Sequence, residues 1–231
     1  MTLMNSLYLC THYGFGDYVI CYGLVKELAK KHDNVILFAR PHRSNLHIDN
    51  IKRLYSSIEN VQICLDEPAL YSNVLYLGWE ELAKARRRNR NVSFPKFFYD
   101  QVNVPLNLMW DNFYFKRDKR REFEVYYDRL GLKDNEEYIF LHDDPIRGFL
   151  INKKYINIDF RVIHLVELED VSILDTLYLV EKSKEVHAIT TGLVSFIDQM
   201  NIKHDNLNLH RYVRPGLSDQ PILKLKWNIW N

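Results

Sequence analysis

The 231-residue chain has no long apolar run. Its best stretches, Tyr18 to Tyr22 and Val35 to Ala39, fall far short of the roughly 20 residues that cross a bilayer. The opening Met-Thr-Leu-Met-Asn has neither a charged leader nor an extended apolar segment, so no signal peptide is expected. Cysteine is scarce: Cys10, Cys21 and Cys64 are odd in number, form no C-x-x-C pair and sit among apolar residues. That usage predicts buried free thiols in a reducing, cytoplasmic compartment. An excess of one charge is missing too, since 31 Lys/Arg and 30 Asp/Glu leave a net +1. The overall balance therefore gives no attraction to nucleic acid or anionic lipid. No G-x-S-x-G elbow or Walker loop occurs, and His12, His32, His42, His47, His164, His187, His204 and His210 show no H-x-x-x-H or H-E-x-x-H spacing, so a catalytic zinc site is not expected. What is present is an ordinary globular composition, 47% hydrophobic and 13% aromatic, enough apolar surface to offset chain entropy.

The length allows one large domain or two of roughly 110 residues. Charge favours two, because residues 1–135 hold 20 Lys/Arg against 16 Asp/Glu, while 136–231 hold 11 against 14. Leu7 to Tyr13 reads as a strand that ends in Gly14-Phe-Gly-Asp17. From Asp17 to about Lys31, apolar residues recur at helical spacing and the last turn is basic. Val35–Ala39 follows as a parallel-type strand, Ser44 as a cap for a helix to about Ser57, then Val61–Leu65 and Val74–Leu77 as strands. Between Trp79 and Asn112 the pattern weakens. Arg86, Arg87, Arg88 and Arg90 read as a solvated face rather than a nucleic-acid site, and Phe94–Tyr99 as a segment turning helical toward Val102. Residues 117–130 predict an amphipathic helix, and Lys133–Glu137 a linker. A second alternation follows: strands at Tyr138–Leu141, Arg161–Leu165 and Val186–Thr190, a helix capped by Ser172 and running to about Lys182, and a helix from Gly192 to Met200. The expected architecture is α/β, with two Rossmann-like, doubly wound parallel-sheet domains facing each other across a cleft, at 1–132 and 133–231.

Three junctions carry chemistry. In Gly14-Phe-Gly-Asp17, Gly14 and Gly16 let a substrate approach the backbone where open parallel sheets bind ligands. Asp17 at the helix start can act as a general base if a partly desolvated cleft raises its pKa. Alternatively it only caps the helix. The same loop begins a dinucleotide fingerprint, with Arg40, His42 and Arg43 placed for a 2′-phosphate; an NADP-dependent oxidoreductase is the second reading. Val19 stands where the third glycine belongs, and Asp17 where pyrophosphate would approach. In His142-Asp-Asp-Pro-Ile-Arg147-Gly148, Arg147 suits bidentate phosphate contact, helped by Lys153 or Lys154. Asp143 and Asp144 read equally as turn residues with Arg147 as their ion partner. A metal held by the adjacent carboxylates is the weaker option, because that arrangement usually spaces two Asp by one residue. In Thr190-Thr-Gly-Leu-Val-Ser195, backbone N–H groups and the hydroxyls of Thr191 and Ser195 can face an anion, or simply cap a helix. Asp175 can take a ribose or sit as a first-turn carboxylate.

A strand, a Gly-x-Gly-Asp loop and a helix containing Gly23-Leu-Val-Lys-Glu-Leu28 resemble the N-terminal domain of heptosyltransferase-like GT-B glycosyltransferases and their small relatives in polysaccharide clusters and large DNA viruses. The second half, with His-Asp-Asp-Pro-x-Arg-Gly, Leu-Tyr-Leu-Val-Glu-Lys-Ser and a Thr-Thr-Gly helix start, looks similar to their nucleotide-sugar domain. The resemblance covers most of the chain outside 79–116. It implies a nucleotide-diphosphate sugar as donor and a glycan as acceptor, with no nucleic acid, metal or cofactor. The diphosphate would lie between Arg147 and Thr191–Ser195, near His142, Asp144, Lys153, Thr190 and Gly192. The base would lie against Val166, after His164-Leu165, and the ribose near Asp175. Asp17 would deprotonate the acceptor and the reaction would invert the anomeric centre. Such relatives often carry Asp-Ser-Ser or Asp-Ser-Gly where this chain has Thr190-Thr191-Gly192, which motivates a third reading, a non-catalytic nucleotide- or sugar-binding protein. Pro221 to Trp230 is short for the C-terminal helix common in the family.

Overall fold

The computed structural model describes residues 5–12, 14–40, 45–89, 92–168, 170–214 and 222–231. Tyr13, His42, Arg43, Ser44, Arg90 and Pro221 lie outside them. The chain divides into two compact units, one reaching Phe115 and the other starting at Lys116.

In the first unit, β1 (Ser6–Cys10), β2 (Asn34–Phe38), β3 (Val61–Cys64) and β4 (Val74–Tyr76) form an all-parallel sheet in the order β3-β2-β1-β4. Leu7 sits opposite Val35, and Cys10 opposite Phe38. Leu9, Cys10, Val35, Leu37 and Phe38 are fully buried, as expected of parallel strands covered on both faces. The first crossover is α1 (Phe15–Ala29), and none of its residues is exposed. A helix so enclosed needs covering on its outer side. The segment between Trp79 and Asn112, where periodicity is weakest, supplies that cover. It forms α3 (Trp79–Arg88), α4 (Phe94–Gln101) and α5 (Leu108–Asp111), after α2 (Asn45–Tyr55). The Tyr99 hydroxyl of α4 donates to the Ile20 carbonyl at 3.0 Å and accepts the Leu24 N–H at 3.1 Å, bridging a carbonyl and an amide one helical turn apart. Gly23 lets α5 in: a Cβ there would lie 2.0 Å from the Leu108 carbonyl oxygen.

In the second unit, β5 (Tyr138–His142), β6 (Arg161–His164), β7 (Glu185–Ala188), β8 (Leu207–His210) and β9 (Asn228–Trp230) form an all-parallel sheet in the order β6-β5-β7-β8-β9. The C-terminal stretch is thus a fifth strand paired with β8, rather than a shortened helix. The amphipathic 117–130 segment also belongs to this unit, as α6 (Lys119–Phe123) running into a π-helical turn, Glu124–Arg129. Arg117 fixes it. Its guanidinium bonds the fully buried Glu122 (Nε to Oε1, 2.7 Å) and also Glu181 of α7 (Leu177–Lys182) (Nη2 to Oε2, 2.8 Å). A buried carboxylate is tolerable with such a partner. Ser172 caps a short 3-10 turn, Ile173–Asp175, ahead of α7, with its Oγ accepting the Leu174 N–H at 3.1 Å. The last crossover helix is α8 (Gly192–Gln199).

Both orders contain a point where the chain reverses its direction of travel across the sheet: β1 beside β4 in the first unit, β5 beside β7 in the second. Crevices beyond the carboxyl ends of such strands are where open α/β sheets take ligands.

Candidate functional site

At the reversal point of the second sheet, β5 ends in His142 and the chain forms a small closed loop. Asp144 and Phe149 exchange backbone hydrogen bonds, both 2.9 Å, around a 3-10 turn, Pro145–Arg147, and Gly148 takes φ +75° to close it. The Asp144 carboxylate accepts the Arg147 N–H at 3.1 Å and pairs with its Nε. The turn-and-ion-partner reading of this loop therefore holds for Asp144, while Asp143 is buried and turned to the Ile151 N–H and His164 instead. Asp144 engages one edge of a guanidinium that is still 39% exposed.

A second guanidinium, which local spacing does not single out, stands beside it. Arg214 donates to the Thr190 carbonyl at 2.7 Å, immediately before α8. Arg147 and Arg214 each place their guanidinium carbon 5.3 Å from the centre of the Phe149 ring. Burial, and then the Arg147 charge, hold the Arg214 pKa below the usual guanidinium range. The Asp144 carboxylate offsets part of that repulsion, and a bound anion would offset more of it. Thr191, in extended conformation, is the N-cap of α8, and its Oγ1 is buried without a hydrogen-bond partner. The Ile189 N–H donates to the His142 carbonyl at 3.0 Å, which ties the two strand ends together. Burial pushes the His142 imidazole down to about 4, and its Nδ1 is buried without a partner.

The second unit thus gathers His142, Asp144, Arg147, Thr190, Thr191 and Gly192 at one sheet edge, together with Arg214. Ser195 lies one helical turn into α8. The other expected donor residues stand on different segments: exposed Lys153 on the 3-10 turn Lys153–Tyr155, half-buried Val166 on the turn Leu165–Glu167, and Asp175 before α7. Asp175 is only 5% exposed, leaving little surface for a ribose.

In the first unit, Gly14 is the N-cap of α1. The Asp17 carboxylate accepts its N–H at 3.0 Å, while the Asp17 N–H donates to the Gly14 carbonyl at 2.9 Å. Asp17 does cap the helix. Its burial nevertheless outweighs that hydrogen bond and pushes its carboxyl up to about 7. A Cβ at residue 14 would meet the carboxylate oxygen at 2.9 Å, so the glycine leaves room for the contact. Val19, at the third-glycine position of the dinucleotide fingerprint, is fully buried, and Arg40 after β2 is paired with Glu67.

No family model matches the chain. No curated protein matches it either. Among solved structures, it is similar to the glycosyl transferase family 9 protein from Veillonella parvula DSM 2008, at 7% identity and a TM-score of 0.42, over 89% of this chain and 79% of that one.

A pocket of about 460 Å³ opens at the reversal point of the first sheet, lined by His12, Trp79, Glu80 and Ala83. The Trp79 N–H donates to His12 Nε2 at 2.9 Å, so the imidazole proton sits on Nδ1. Burial, and then the charge of Arg86, lower the His12 pKa and keep the ring neutral. Trp79, Phe94 and Phe98 meet the imidazole edge-on, with ring centres 5.1 to 5.6 Å away. Gly78 at φ +84° and Trp79 at φ +37° bend the chain into this arrangement. His12 and Trp79 are 67 positions apart in the chain, a pairing that local spacing does not reveal. Among the described residues, no helix is long and apolar enough to cross a membrane.

Proposed function

We propose that the chain is a GT-B-type glycosyltransferase that moves a sugar from a nucleotide-diphosphate sugar to a hydroxyl of a glycan acceptor, without metal and with inversion. The observation that carries this reading is the Arg147–Arg214 pair beside the start of α8, a double cation placed where parallel sheets take ligands. Two guanidinium groups, the Thr191 hydroxyl and the amides of the β7–α8 turn can neutralise a departing diphosphate. In the first unit Asp17, with its carboxyl up at about 7, is suited to accept a proton near neutral pH. In the reaction the acceptor oxygen bonds to the anomeric carbon and gives its proton to Asp17. The bond from that carbon to the diphosphate oxygen breaks, and its electron pair leaves with the nucleotide. The second unit, which starts at Lys116, holds the donor, with its base toward Val166, and the first unit, which reaches Phe115, serves the acceptor.

Isothermal titration with a panel of nucleoside diphosphates tests the reading. Micromolar binding by at least one is expected, and folded protein that binds none of them overturns it. Asp17→Asn should bind the same nucleotide with unchanged affinity while losing transfer; full transfer activity in that variant would remove Asp17 as the base.

A further inference from the structure

Beside the two arginines lies a couple that the proposed reaction leaves unused. Asp143 is 3% exposed and has both carboxylate oxygens engaged. Oδ2 accepts the Ile151 N–H at 3.0 Å, and Oδ1 lies 2.6 Å from His164 Nε2. An ionised carboxylate only accepts, so Nε2 must carry the proton of that bond. Nδ1 is then the nitrogen that changes state. It lies 4.0 Å from Glu167 Oε1, beyond hydrogen-bond reach, and the His164 side chain is 17% exposed. Neutral His164 offers a lone pair at Nδ1, and protonated His164 a second N–H.

Charge balance gives that choice a consequence. His164 ends β6, the strand next to β5, and so stands at the sheet edge that carries the arginine pair. Asp143 and Asp144 cancel Arg147 and Arg214, and burial keeps His142 neutral. Exposed Glu167 adds a further negative charge. With His164 neutral, these side chains taken together carry no net positive charge, so the two guanidinium groups meet a diphosphate with their charge already offset. With His164 protonated, this edge gains a positive charge, and the buried Asp143 carboxylate stabilises the imidazolium from the opposite side.

We propose that His164 is a proton-coupled anchor for a phosphate or diphosphate group bound at this edge of the second unit: as the anion binds, Nδ1 takes a proton from solvent and donates it as a hydrogen bond, while Asp143 holds the ring. One N–H bond forms and nothing else is made or broken. The inference rests on reading Arg147 and Arg214 as an anion site.

The test is calorimetry of inorganic pyrophosphate binding to the full chain near pH 7, in buffers of different ionisation heat, for wild type, His164→Gln and Asp143→Asn, each first checked for cooperative thermal unfolding. Protons exchanged by pyrophosphate itself cancel in the difference between wild type and His164→Gln. That difference should be a net uptake of protons by wild type, and wild-type affinity should fall with rising pH more steeply than the variant's, by up to about tenfold per pH unit. Asp143→Asn should lower the uptake. Equal uptake in wild type and His164→Gln, with binding intact, overturns the anchor and leaves the anion site standing. Full uptake in Asp143→Asn removes Asp143 from it. If wild type binds no pyrophosphate, the anion site fails and the anchor with it.

Discussion

Replacing Asp17 with asparagine separates what this residue contributes to chemistry from what it costs the fold. Its carboxyl is raised from the ordinary 3.8 to about 7, chiefly by burial, so the folded state resists ionising it. The unfolded chain ionises it near the ordinary value. Between pH 4 and 7 the unfolded state therefore binds fewer protons than the folded one, and stability falls as pH rises, by about 1.4 kcal/mol per unit. Above pH 7 the loss is complete and constant, at about 4 kcal/mol as an upper figure. Asparagine keeps the shape and can still accept the Gly14 N–H, but has nothing to ionise. Urea denaturation of Asp17→Asn should match wild type near pH 4 and show a higher midpoint at pH 8, by about 2 to 4 kcal/mol. Transfer activity should fall by about 10²- to 10⁴-fold in the same protein. A variant that is less stable than wild type at pH 8, or whose advantage does not change with pH, would refute the claim that burial raises this carboxyl.

Arg214→Ala should weaken nucleoside-diphosphate binding by about 10- to 100-fold, the loss of one charge-assisted contact, measured by calorimetry. Arg117→Ala leaves the buried Glu122 with only the half-exposed Lys119 nearby, at 3.3 Å, and should cost about 3 kcal/mol in denaturant unfolding. Arg117→Lys should recover part of that and no more, because lysine lacks the fork that grips both glutamates. Gly23→Ala should lower stability by at least about 2 kcal/mol, since the added methyl meets a backbone carbonyl rather than a side chain that can turn away; a smaller loss would mean that α5 can shift without penalty.

The two parallel sheets were legible because their strands are short apolar runs between helical patterns, as in Val35–Ala39 and Tyr138–Leu141. Asp17, Arg147 and Thr191 stand out in the sequence because each lies in the junction that comes after an apolar strand run. Arg214 does not: it follows β8, a strand the periodicity did not announce, and its value lies in the neighbouring Arg147. Asp143 reads in sequence as half of a turn, and only the fold shows its carboxylate directed to Ile151 and His164 while Asp144 faces Arg147. Sequence order sets the 117–130 helix in the first domain, whereas its defining contact, Arg117 with Glu181, spans 64 positions and holds it in the second unit. Periodicity reports the apolar face of a helix and says nothing about the sheet on which that face lands.

The Tyr99 hydroxyl that links Ile20 and Leu24 also orders events during synthesis. The first strand and helix leave the ribosome early, yet the middle of α1 reaches its final hydrogen bonding only when a residue 75 positions after Leu24 is in place. Synthesis of those 75 residues takes seconds at about 5–20 residues per second, far longer than helix formation. The helix that carries Asp17 is therefore completed late, from its outer side, and a first unit cut back to its four strands and two helices would lack the hydroxyl that finishes it.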